Sequence, residues 1–109
     1  MIIFPFCVLD IEWYSFRRQI KEQKEYPPSR DEHGWYYITI LHRGESLLYT
    51  DKHGSTMIDF EIRTPSWVSA SSIKRWSRFW KISDQQRKLI LDRVVHMFGA
   101  DAEGCKIID

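Results

Sequence analysis

Cysteine occurs only twice in 109 residues, at Cys7 and Cys105. Two cysteines so far apart make no disulfide framework of the kind that staples small secreted domains. Both sit near apolar residues, Phe6 and Val8 in one case and Ile107 and Ile108 in the other, where a reduced thiol packs as a small apolar side chain. Pairing of the two chain ends as neighbouring strands, which would bring the sulfurs together, is the other arrangement open to them. No nearby charge pattern marks either thiol as an activated nucleophile. A dominant charge is missing too: 16 basic and 15 acidic side chains leave a formal net charge of +1. Attraction to nucleic acid or an anionic membrane would have to be local.

Long apolar runs are absent, and nothing approaches the roughly eighteen residues that a spanning helix needs. The opening MIIFPFCVLDIE is apolar, yet it lacks a basic leading region, is interrupted by Pro5 and ends at Asp10 and Glu12. It does not read as an export leader, so a cytoplasmic location is expected. The five glycines form neither a phosphate-binding loop nor a G-x-S-x-G elbow. His33, His42, His53 and His96 are scattered without the close spacing of a zinc site, and no cofactor or metal is expected. Asp59 and Glu61 project together from one strand, where a solvated face explains them better than a carboxylate pair.

What is present is enough apolar and aromatic material, 43% and 15%, for one core within one domain, residues 1–109. Ile2 to Leu9 reads as a short strand. Leu9, Trp13, Phe16 and Ile20 then share a helical stripe that predicts a helix from about Ile11 to Lys24, stopped by Pro27 and Pro28. A long strand is the competing assignment there. Tyr26 to Gly34 has loop composition. Three strand signals follow, Trp35 to His42, Ser46 to Thr50 and Ser55 to Arg63, separated by turns at Arg43-Gly44 and Asp51 to Gly54. In the last strand Ile58, Phe60 and Ile62 are assigned to the buried side.

Ser66 to Ala70 predicts one more short strand, Ile73 to Trp76 a single turn of helix, and Gly104 to Ile108 an edge strand. The most secure element is a helix from Asp84 to Phe98, with a Ser83/Gln86 capping box, an apolar stripe through Ile90, Leu91, Val94, Val95 and Phe98, and Gly99 beyond its end. The expected fold class is α+β, an antiparallel meander of three to five strands with one or two helices packed against it.

One charge concentration stands out: Lys74, Arg75, Arg78, Lys81, Arg87 and Lys88, opposed only by Asp84 and interleaved with Trp76, Phe79 and Trp80. Basic and aromatic side chains together serve single-stranded nucleic acid. Trp and Arg also anchor protein interfaces. A solvated face over a core closed by Trp76 and Phe79 needs neither partner. With net charge near zero, protein ranks ahead of nucleic acid, and Arg75, Arg78, Trp80 and Lys81 are the candidate contact residues. Association of two copies through a sheet edge is also open.

Trp67-Val68, then Ser71-Ser72-Ile73-Lys74-Arg75-Trp76, Ile82-Ser83, and a helix with Arg87, Ile90 and Phe98 resembles small bacterial immunity proteins of polymorphic toxin systems, of the kind called immunity protein seventy-four. The similarity covers about the last seventy residues. It implies a non-enzymatic protein that binds and blocks a cognate toxin and carries no cofactor. Ser77-Arg78-Phe79-Trp80 stands where the family pattern has proline and acidic residues, so a contact there would be differently charged.

Overall fold

The computed structural model describes residues 15–63, 66–76, 80–99 and 104–109. The expected strand at Ile2 to Leu9, the first turn of the first helix, Cys7 and its placement relative to Cys105, Thr64-Pro65, Arg78 and Phe79 lie outside these residues. Helix α1 occupies 15–23 of the described chain. It closes with Lys24 N–H donating to the Ile20 carbonyl at 3.1 Å and Glu25 N–H to Glu22 at 3.2 Å. Pro27 and Pro28 then rule out continuation.

Five strands follow as an antiparallel meander: β1 (Ser29–Asp31), β2 (Gly34–Leu41), β3 (Ser46–Asp51), β4 (Gly54–Glu61) and β5 (Ser66–Ser69). A separate two-stranded ribbon comes next, β6 (Arg75–Trp76) against β7 (Trp80–Lys81). Helix α2 (Asp84–Phe98) and strand β8 (Cys105–Ile108) complete the fold, β8 lying parallel to β5 at the sheet's edge in the order β1-β2-β3-β4-β5-β8. Among the described residues the architecture is α+β: two helices, a six-stranded, mostly antiparallel sheet and a hairpin.

Register decides which residues share a face, because cross-strand partners project the same way. Tyr36, Ile38 and Ile40 oppose Asp51, Tyr49 and Leu47; Leu47 opposes Ile58, and Phe60 opposes Val68. That face is the core side, and α2 covers it with Ile90 and Val94, both fully buried. Burial of this kind contributes about 1.5–3 kcal/mol per large aliphatic side chain. The helix starts where its orphan amides find partners: Gln86 N–H donates to Ser83 Oγ at 3.2 Å, and Ser83 N–H to Gln86 Oε1 at 3.0 Å.

The opposite face holds α1 through polar groups. Gln23, only 5% exposed, donates from Nε2 to Thr39 Oγ1 (2.8 Å) and to the Leu48 carbonyl (2.9 Å), while its Oε1 accepts from Thr50 Oγ1 at 2.6 Å. Thr50 in turn lies 2.7 Å from Ser55 Oγ. The sheet is thus gripped by apolar packing on one side and by a satisfied amide on the other.

Three expectations need correction. Ile73 to Trp76 is not a turn of helix: a 3-10 turn lies earlier, at Ala70–Ser72, and Arg75–Trp76 is strand. Ile73, Trp76 and Ile82 all belong in the core, and Ile82 N–H donates to the Lys74 carbonyl at 2.9 Å, a ladder bond that a helical turn does not offer. Tyr26 to Gly34 is not all loop, since Ser29, Arg30 and Asp31 pair with Tyr36, Trp35 and Gly34. Ile62 falls beyond the end of β4 and is 41% exposed, not aligned with buried Ile58 and Phe60.

Candidate functional site

The β6–β7 hairpin is rooted in the core and exposed at its rim. Ile73, Trp76 and Ile82 are buried at its base. Trp76 packs its ring 6.2 Å from Tyr49 and 5.9 Å from the stacked imidazole of His53, and its Nε1 donates to Gln86 Oε1 at 3.3 Å. Arg87 braces the same root, donating from Nε to the Ile73 carbonyl at 2.9 Å and pairing with Asp84 at 2.7 Å. This cation is therefore spent on structure.

What the hairpin displays is different. Arg75 and Lys81 are direct cross-strand partners, so both point to the outer side of the ribbon, and both are exposed. Trp76 and Trp80 share the inner side. Trp76 is 4% exposed, whereas Trp80 is 72% exposed and overhangs the edge of the core instead of filling it. Lys74 and Lys88 are exposed as well. Among the described residues no ion pair engages Lys74, Arg75, Lys81 or Lys88. Of the four expected contact residues, Arg75, Trp80 and Lys81 come together on this hairpin, and Arg78 lies outside the described chain.

A second polar concentration was not anticipated. Arg93, 3% exposed on α2, makes a bidentate contact with Asp31, Nε to Oδ2 at 2.8 Å and Nη2 to Oδ1 at 2.7 Å. Its Nη1 donates to Tyr49 Oη at 2.7 Å and lies 3.7 Å from Asp51 Oδ2, and its guanidinium stacks 4.5 Å above the Tyr36 ring. Tyr49 Oη donates onward to Asp51 Oδ2 at 2.8 Å.

Both aspartates also close hairpin turns of one pattern. Asp31 Oδ1 accepts His33 N–H at 2.9 Å and Asp51 Oδ1 accepts His53 N–H at 2.7 Å, with Gly34 and Gly54 at φ +120° and +146°. Aspartate first and glycine fourth is what such turns favour. Asp31-Glu32-His33-Gly34 and Asp51-Lys52-His53-Gly54 are thus twin turns whose carboxylates converge on Arg93.

The electrostatics follow from these contacts. The hydrogen bonds from Arg93 hold the Asp31 carboxyl at about 2, well below its usual 3.8, against an opposing push from burial. Burial, reinforced by Asp51, drives the Tyr49 hydroxyl far above its ordinary range. Burial also works against the charge on Arg93, but its bonds to Asp31 and Tyr49 more than offset this and raise it. A cavity of about 250 Å³ opens beside the cluster between the first twin turn and α2, lined in part by Arg30, Glu32, His33, Asp92 and His96. The two groups on its floor, Asp31 and Arg93, already satisfy each other.

Asp59 and Glu61 share a face of β4, but Glu61 is clasped by Arg63 at 3.0 and 3.1 Å while Asp59 stays in solvent. Among the described residues no group of three or more His, Cys, Asp or Glu could hold a metal ion. No family model matches the chain, and neither a curated protein nor a solved structure is significantly similar to it.

Proposed function

We propose that this chain is a non-enzymatic interaction protein that binds a cognate bacterial toxin in the cytoplasm and neutralises it by covering it. The observation that carries this reading is Trp80. A tryptophan left 72% exposed on a short hairpin whose base is locked by Trp76, Ile73 and Ile82 has no role in the core. Its large, rigid ring, flanked by cations, has the composition of an interface anchor. The likeness of the segment from Trp67 to Phe98 to immunity proteins supports the same reading.

The test is co-expression with a toxin encoded beside the gene, followed by size-exclusion chromatography. The wild-type chain is expected to form a stoichiometric complex, and Trp80→Ala to weaken it by roughly 30-fold or more, the scale of a hot-spot truncation. Absence of a complex with wild-type protein refutes the role.

A further inference from the structure

We infer that the cavity between the first twin turn and α2 seats an arginine side chain of the partner, its guanidinium held between Glu32 on one wall and Asp92 on the other. This rests on the binding role proposed above and adds a second contact, with its chemistry, to the one made by Trp80.

The walls are set by the fold. Glu32 and His33 come from the turn, Asp92 and His96 from α2, and Tyr36 and Leu89 add apolar surface. Asp31 and Arg93 join those two elements across 62 positions, so the bridge that serves the fold also fixes the width of the cavity.

Charge decides what such a space accepts. Asp31 and Arg93 neutralise each other, which leaves Glu32 and Asp92 against Arg30, one negative charge in excess. Carboxylates only accept hydrogen bonds, and a neutral imidazole keeps one accepting nitrogen. A cation rich in donors complements that set; an anion does not.

Neither carboxylate is neutralised from within. Among the described residues no Lys or Arg lies in ion-pair range of Glu32 or Asp92. Glu32 has the His33 imidazole, at 3.4 Å. Lys88 and His96 stand four residues to either side of Asp92 and do not close on it, whereas Arg18 and Glu22, at the same spacing on α1, pair at 3.2 Å.

Size and shape narrow the cation further. A volume of about 250 Å³ falls below the roughly 300 Å³ at which small-molecule pockets begin, and suits one long side chain. Leu89 lines both this cavity and an open hollow of about 460 Å³ beside it, a track for an apolar stem. The planar fork of arginine then offers donors to carboxylates on two walls, which the point charge of lysine does less well. The hollow also takes in Gln86, the acceptor for the Trp76 indole, so the groove starts at the root of the hairpin and one partner spans both contacts.

The experiment titrates N-acetyl-L-arginine methylamide, and the corresponding capped glutamate, into the full chain and follows backbone amide NMR shifts. Saturable shifts at His33, Leu89, Asp92 and His96 with the capped arginine, weakened by about fivefold or more in Glu32→Gln/Asp92→Asn, support the inference. No saturable shift at these amides, or an affinity unchanged in the double variant, overturns it. Preference for the capped glutamate overturns it in favour of an anion.

The two roles fail separately. Should a toxin captured by wild type be lost in Trp80→Ala yet held at full affinity by Glu32→Gln/Asp92→Asn, the binding role stands and the arginine seat does not. Saturable capped-arginine binding by a chain that captures no toxin refutes the toxin role and keeps the site.

Discussion

Replacing Asp31 by Asn removes one carboxylate from a nearly sealed arginine without changing side-chain shape. The expected cost can be bounded from two directions. The difference between the usual 3.8 and about 2 for this carboxyl corresponds to roughly 2–3 kcal/mol. Because the Asp31 side chain is 32% exposed, solvent screening reduces that to about 1–2 kcal/mol. Stripping a buried charge of every partner costs about 3–5 kcal/mol. Asp51, 3.7 Å from Nη1, remains in place, so the lower figure governs.

The sign with pH follows from the same contacts. A carboxyl whose pKa is depressed by folding contributes fully above its unfolded value and loses that contribution as pH falls through the folded one. The gap between wild type and Asp31→Asn should therefore be about 1–2 kcal/mol near neutral pH and close between about pH 4 and pH 2. Urea unfolding followed by tryptophan fluorescence at stepped pH measures it. A gap below about 0.5 kcal/mol at neutral pH, or one that persists unchanged into acid, would refute the assignment of Asp31–Arg93 as a structural ion pair.

Other substitutions test other joints of the fold. Gln23→Ala leaves the Leu48 carbonyl and Thr39 without their amide partner in a buried setting; about 1–2 kcal/mol is expected to be lost, with amide exchange rising in α1 more than in α2. Gly44→Ala drives a methyl into Ile62 Cγ2 at a backbone φ of +93°. A loss of about 1–3 kcal/mol follows, and adding Ile62→Ala should recover only the share due to the clash. Ser83→Ala removes half of the capping box and should cost about 1 kcal/mol in thermal unfolding.

Elements specified by nearby residues were legible in the sequence. Helix α2 begins at its Ser83/Gln86 box and runs to Phe98 along its apolar stripe, as the spacing predicts. The meander is equally local, alternating apolar and polar residues between turns at His42–Gly44 and Lys52-His53. Strands β6 and β7 are too short to show a period, so Ile73 and Trp76, three apart, imitated a helical turn. Nothing in their types distinguishes Trp76, inside, from Trp80, outside; only the ribbon's position over the core does.

The Arg93 cluster escaped because it joins residues 62 and 44 positions apart. Two signals pointed to it: an arginine within the apolar stripe between Ile90 and Val94, and the repeated Asp-x-His-Gly turn. The parallel pairing of β8 with β5 had no local signal at all, since an edge strand's neighbour is set by the whole sheet.

The central claim is that the hairpin's rim is the working surface while the polar cluster beside α2 serves the fold alone. It is tested most directly by titrating a toxin encoded beside the gene into wild type and Trp80→Ala, with a thermal melt of each. The account predicts affinity weakened by roughly 30-fold or more and a melting temperature within about 2 °C of wild type, as for a surface substitution. Unchanged affinity in Trp80→Ala would contradict it.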